Sequence, residues 1–273
     1  MFKTFLVCFC LLTNVLAAQN LTKDSLINYS YIINGKGDNK FQTSGTGSIL
    51  HYKDQYFLVT NFHVLTAKDA NTNKVFKEFK DSNTAISIIF QPLDRKSNFI
   101  VNIYPLYEHG KPTFGTFIFQ NTIIDISAIP IIPPKNATLF AFELSDIDTS
   151  QHYLPNEKLI MYGFPRGEFK NSWQPTEFDA NAIENYERGE TIYDPFVFFD
   201  KSPISGMSGS PVYFYNSANK LKVIAVLSNV VDYNPKAPTT KGRSIYYNLA
   251  LEVIKQMSAQ NITSVKGEEY KNK

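Results

Sequence analysis

A chain of 273 residues, 43% hydrophobic and 14% aromatic, carries enough apolar surface for one large core, which excludes general disorder. Its 27 basic and 25 acidic residues leave a formal charge of +2, a balance that excludes capture of nucleic acid or anionic membrane by counterion release. Charge therefore points to no partner class.

The opening stretch, MFKTFLVCFCLLTNVLAAQN, places Lys3 before an apolar run over residues 5–12 and reaches the small pair Ala17 and Ala18. That is the anatomy of a secretory leader, and the run is too short for a membrane span. Residues 1–18 are expected to be a signal peptide, cleaved after Ala17 or Ala18, and the remainder a secreted or periplasmic protein with no membrane association. Both cysteines, Cys8 and Cys10, fall in the leader. The exported part then has no disulfide, no thiol nucleophile and no cysteine-based zinc site.

Beyond the leader, short runs rich in β-branched and aromatic residues follow one another: YSYII, GSILHY, QYFLVT, AISIIF, FIVNIY, GTFIFQ, DISAIPII, KLIMYGF, PFVFF, PVYFY, KVIAVLS and SIYYN. Clusters of Gly, Pro, Asn and Asp separate them at strand spacing, which predicts an all-β antiparallel sandwich or barrel. Two polar stretches, NTNKVFKEFKDSN and EFDANAIENYERGET, read as surface insertions. Helical period enters only near the end, where Leu249, Val253, Ile254 and Met257 fall on one face of a single helix. One domain over residues 19–262 is expected, followed by a flexible tail over residues 263–273.

SGMSGSPVYF, residues 205–214, raises the chemical question. Gly, Ser and Pro gather in turns for backbone reasons alone. Ser208 counts as a nucleophile only if the chain also supplies a base and a group to orient that base, because a serine hydroxyl is a poor nucleophile at neutral pH. The four histidines, His51, His63, His109 and His152, all precede Ser208. An α/β-hydrolase orders its triad Ser, acid, His, and is excluded for this serine. His63 follows a buried-looking strand in QYFLVTNFHVL, and Asp125 heads an apolar strand in NTIIDISAIPII. A carboxylate in that position is costly to bury unless a partner such as an imidazole hydrogen-bonds it. Locally, His63 as a polar strand cap and Asp125 as the end of a turn both stay open. With no i, i+4 histidine pair, no metal site and no cofactor is expected.

Taken in order, GTGSIL, VTNFHVL, DISAIPI and ISGMSGSPVYF resemble the trypsin-like serine peptidases of the chymotrypsin fold. LPNEKLIMYGFPRG is similar to a strand end of bacterial HtrA-like members, KVIAVLSNV to the substrate-binding strand after the nucleophile, and GMSGSPV to glutamyl endopeptidases. The resemblance implies two six-stranded antiparallel β-barrels with a C-terminal helix and an active site between the barrels. It also implies roles: Ser208 as nucleophile, His63 as its base and Asp125 as the residue that orients the imidazole. The backbone N–H groups of Gly206 and Ser208 would form the oxyanion hole. Counting back from the nucleophile puts Ser202 at the base of the primary specificity pocket, with Leu227, Ser228 and Asn229 on the strand along the substrate. That pocket is neutral, with Asp200, Lys241 and Arg243 as the charges within reach.

Met207 stands where zymogen-activated members carry an aspartate that pairs with a newly cut N-terminus, so that switch is not expected. Nor is a PDZ module after the final helix. The expected function is an exported serine endopeptidase that acts on proteins or peptides through a covalent acyl-enzyme. The alternatives are a catalytically silent member that binds a partner, and an esterase using the same triad. The sequence carries no signal of oligomeric state.

Overall fold

The computed structural model describes residues 21–37, 40–150, 154–165, 174–183, 195–232 and 240–270. The expected leader lies outside them. The first half contains β1 (Tyr31–Lys36), β2 (Phe41–Tyr52), β3 (Gln55–Thr60), the short helix α1 (Phe62–Thr66), β4 (Ala85–Pro92), β5 (Ile100–Pro105), β6 (Tyr107–Glu108), β7 (Lys111–Pro112), β8 (Gly115–Phe119), β9 (Thr122–Ile132) and β10 (Ala137–Thr138). The second half contains β11 (Lys158–Gly163), β12 (Thr176–Ile183), β13 (Phe196–Phe199), β14 (Pro211–Tyr215), β15 (Leu221–Asp232) and β16 (Thr240–Tyr246). Helix α2 (Tyr247–Ala259), β17 (Val265–Lys266) and β18 (Glu268–Glu269) follow. Among the described residues no helix is long and apolar enough to cross a membrane.

The all-β antiparallel expectation is met. In the second half β11-β12-β13-β16-β15-β14 form a closed barrel, and closure leaves no unpaired edge. In the first half the central path β9-β3-β2-β1-β4-β5 carries β8 and β10 at its side and β17 and β18 at its two ends, a ten-stranded sheet in all. β5 shows the one-faced alternation of buried and half-exposed positions that such a sheet requires.

Two sequence expectations are corrected here. EFDANAI, taken as part of a surface insertion, lies in β12, paired with β11 and β13. Ala180 and Ala182 point inward while Glu177 and Asn181 stay exposed. Alanine brings so little apolar surface that this alternation has almost no hydropathy signal. The tail does not lie free either. β17 pairs with β9 and β18 with β5, and Val265 is buried in the core of the first half.

Another apolar cluster joins the halves, with Leu50, Phe57 and Val59 from the first and Ile160, Tyr213 and Ile245 from the second. Helix α2 completes it. Leu249, Val253, Ile254 and Met257, the predicted apolar face, are all buried, against β8, β9 and β15. Truncating one such side chain to alanine costs roughly 2–5 kcal/mol. This shared core fixes the two halves against each other, and the candidate site lies where they meet.

Candidate active site

Register brings the first two site residues together. Thr60, the last residue of β3, pairs with Ser127 of β9, so the chain just beyond Thr60 runs alongside the chain just before Ser127. Helix α1 begins there. Its first-turn amides have no intrahelical acceptors, and Asp125 supplies one: the His63 N–H donates to Asp125 Oδ1 at 3.0 Å. The ring does the same, with His63 Nδ1 2.8 Å from Asp125 Oδ2. A carboxylate in this pair accepts, so Nδ1 carries the proton and Nε2 is left as the acceptor. Asn61, two residues before His63, donates from Nδ2 to the Asp125 carbonyl at 2.8 Å.

Ser208 comes from the other half. β14 pairs with β15 from Pro211↔Val226 onward, and the ladder extends backward through Leu227 N–H to the Ser210 carbonyl and Gly209 N–H to the Leu227 carbonyl, each at 2.8 Å. Ser208 is thereby set beside Ser228. The register of β15 against β16 shifts between Leu227 and Asn229, a bulge at Ser228, and a bulged residue can re-aim its side chain out of the ladder. The Ser228 hydroxyl donates to Asp125 Oδ2 at 2.8 Å, and its carbonyl accepts the Ser208 hydroxyl at 3.0 Å. His63, Asp125 and Ser208 line one cleft of about 260 Å³ with Ser228, Asn229, Phe76, Phe196 and Arg243. Among the described residues Ser208 Oγ bonds Ser228 rather than His63.

The His63 side chain is 24% exposed and that of Asp125 11%. Burial is the largest influence on His63 and works to lower its pKa. The Asp125 charge, the Asp125 hydrogen bond and the charge of Asp69 together outweigh it, and the imidazole is held above its ordinary 6.5.

Gly206 has φ +92°, a conformation that glycine enters without the cost other residues meet. Among the described residues neither the Gly206 nor the Ser208 N–H donates to another group. Unpaired neighbouring amides of this kind can receive an anionic oxygen. Both residues, with His63 and Ser205, line a second cavity of about 350 Å³. Phe76 belongs to both cavities, its ring edge-on to His63 with centroids 6.3 Å apart. The polar stretch read as a surface insertion therefore walls the site.

Of the residues expected to bind substrate, Ser228 and Asn229 line the cleft. Ser202 and Leu227 do not. Ser202 is exposed and lines neither cavity, and Leu227 is buried in the core of the second barrel. The expectation for these two is corrected: strand alternation turns Leu227 inward beside Ser228, and Ser202 faces solvent away from both cavities. Of the three charges within sequence reach, Arg243 lines the cleft, while Asp200 accepts from Asn181 and Lys241 donates to the Asp200 carbonyl at 3.4 Å. Among the described residues no three His, Cys, Asp or Glu side chains are grouped to hold a metal.

An all-β chain whose sheet half supplies a His–Asp pair and whose barrel half supplies a serine beside it has the trypsin-like fold. Solved structures agree on the fold. A serine endoprotease from Yersinia pestis matches with a TM-score of 0.53 at 12% identity, over 89% of this chain and 68% of its own. The HtrA-type protease AlgW, solved with a tripeptide, matches with a TM-score of 0.52 at 13% identity over 87% of this chain. This chain spans 62% of AlgW, less than two thirds of it. No protein-family model matches the chain, and no curated protein matches its sequence.

Proposed function

We propose that the protein is an exported serine endopeptidase that cleaves proteins or peptides through an acyl-enzyme on Ser208. One observation carries the reading: Asp125 holds both the backbone and the ring of His63, and thereby orients a basic Nε2 in the cleft that Ser208 lines. The Ser208 hydroxyl turns from the Ser228 carbonyl to Nε2, gives up its proton and attacks the scissile carbonyl. The negative oxygen that develops is received by the Gly206 and Ser208 amides. His63 then passes the proton to the leaving amine, and Asp125 stabilises the imidazolium formed in between. Water, activated by the same imidazole, releases the acyl group. The secretory leader in the sequence supports export.

The test is covalent labelling of the purified protein with a fluorophosphonate probe, followed by peptide cleavage. Wild type should label at Ser208, and Ser208→Ala should neither label nor cleave. A wild type that never labels overturns the reading in favour of a silent binding domain. Labelling with turnover of esters and no peptides would make it an esterase.

A further inference from the structure

Thr46, on β2 of the first half, is fully buried and meets the candidate site at two backbone carbonyls, one through its N–H and one through its hydroxyl. Its N–H donates to the Ser208 carbonyl at 2.7 Å, and its carbonyl accepts from the Thr60 hydroxyl at 2.6 Å. Its own hydroxyl lies 3.1 Å from the Gly206 carbonyl and 3.0 Å from the Phe164 N–H. The direction of this last pair of bonds is forced. A backbone N–H only donates, so Thr46 Oγ1 accepts from Phe164, and its single proton goes to the Gly206 carbonyl, which only accepts.

We infer that Thr46 is a positioning residue that holds the Gly206–Ser208 loop with its amides presented to the oxyanion, taking the place of the N-terminal ion pair that Met207 cannot make. The inference rests on the proposed peptidase reading and adds to it a residue remote from the substrate.

The loop needs an external hold. Gly206 at φ +92° has no side chain to fix its peptides, and rotation of the peptides around it would turn an amide away from the cleft. Local bonds are few: Met207 N–H to the Ile204 carbonyl at 3.1 Å and Ser210 N–H to the Met207 carbonyl at 2.9 Å. Thr46 grips the carbonyls on either side of Met207, and does so from the opposite half of the molecule. The fit is close on every side. A Cβ on Gly209 would lie 1.8 Å from the Thr46 carbonyl oxygen, and one on Gly163 would lie 3.1 Å from Thr46 Oγ1. One hydroxyl thus ties three separated segments together: β2, the strand end YGFP and the nucleophile turn.

Thr46→Val keeps the shape and deletes the hydroxyl. Direct loss of an oxyanion donor costs roughly 10²–10³ in kcat, and loss of the group that positions the donors should cost about 10- to 100-fold. KM should stay within about twofold, because the ground-state substrate does not need the hole. Inhibition by a peptide aldehyde, which binds as a tetrahedral adduct, should weaken in parallel with kcat, and Thr46→Ser should restore both. If Thr46→Val does not fold, Thr46→Ala carries the same expectation, and Thr46→Ser must still match wild type. A folded Thr46→Val or Thr46→Ala with wild-type kcat and aldehyde affinity overturns the inference and leaves the peptidase reading standing. So does a Thr46→Ser that loses as much kcat as Thr46→Val. Absence of labelling in wild type instead overturns the peptidase reading.

Discussion

The Ser228 hydroxyl and the His63 ring share one acceptor, Asp125 Oδ2, each at 2.8 Å. The carboxylate is thus held from both halves of the molecule, by a base on one side and a strand bulge on the other. Ser228→Ala removes one charge-assisted bond, worth at most about 1.5–3 kcal/mol, while the two bonds to His63 remain. Its kcat/KM on a cleaved peptide should fall by about tenfold, with the probe still labelling Ser208. A fall as deep as that of Asp125→Asn would mean that Ser228, rather than His63, holds the carboxylate in place.

The pH dependence has a definite sign. His63 must be neutral to take the Ser208 proton, so kcat/KM rises with pH through a midpoint above 6.5. Asp125→Asn deletes the two larger influences that raise this pKa and leaves burial, which lowers it, opposed only by the smaller influence of the Asp69 charge. Its midpoint should drop below wild type, and its rate should fall roughly 10⁴-fold as the tautomer is lost. For stability, a raised folded-state pKa means that the folded chain holds the proton more tightly than the unfolded one. The contribution of the pair is therefore full below 6.5 and is lost as pH rises through the folded value. Thermal melting of Ser208→Ala, which cannot digest itself, follows this loss. A wild-type rate midpoint at or below 6.5 would contradict the assigned pair.

Gly209 has φ +90°, and a Cβ there would sit 1.8 Å from the Thr46 carbonyl oxygen and 2.3 Å from the Thr60 hydroxyl. Gly110 has φ +74° with open space around it. Backbone strain of this kind costs about 1–3 kcal/mol, so Gly110→Ala should lower the melting temperature and still label fully. Gly209→Ala adds a collision with the group that grips the nucleophile turn, and its labelling should be lost even where the protein remains folded. Equal labelling of the two variants would show that the turn tolerates displacement.

The strands were legible because their signals are local, and the three residues that line one cleft were singled out by the order of the motifs around them. β-branched runs such as AISIIF mark strands, and Asp125 at the head of an apolar strand asks for a partner in its own vicinity. What stayed hidden depends on pairing between segments far apart in the chain. The sequence reads Ser228 only as a residue of a strand expected to carry substrate, and the bulge alone shows its hydroxyl turned to Asp125, 103 residues away. Thr46 meets Gly206 across 160 residues, and nothing in GTGSIL marks it. β12 escaped because its inward side chains include two alanines, and β17 because Val265 is a lone apolar residue in a polar tail.

Arg243 sets the last expectation. It stands opposite Asn229 in the β15–β16 register, donates from Nε to the Asn229 side chain at 2.9 Å and lies over the Phe196 ring, 4.4 Å from its centroid. Those contacts hold the guanidinium on the wall of the cleft, beside the strand expected to carry substrate, while Ser208 and His63 stand on the same cleft. A cation held so should favour a substrate carboxylate on the acyl side of the scissile bond. In a solvent-open cleft the attraction lies between about 1 kcal/mol in water and about 4 kcal/mol near a protein surface at 4 Å, and salt weakens it further. Acidic side chains should therefore be preferred by at least about 5-fold at low ionic strength, and by less at high salt. Arg243→Gln should flatten the preference while leaving kcat on a neutral peptide nearly unchanged. A library randomised on the acyl side, cleaved at two salt concentrations by wild type and Arg243→Gln, measures both effects. A preference for Lys or Arg would assign selectivity to Asp69, which also lines that cleft, and would remove Arg243 from the account.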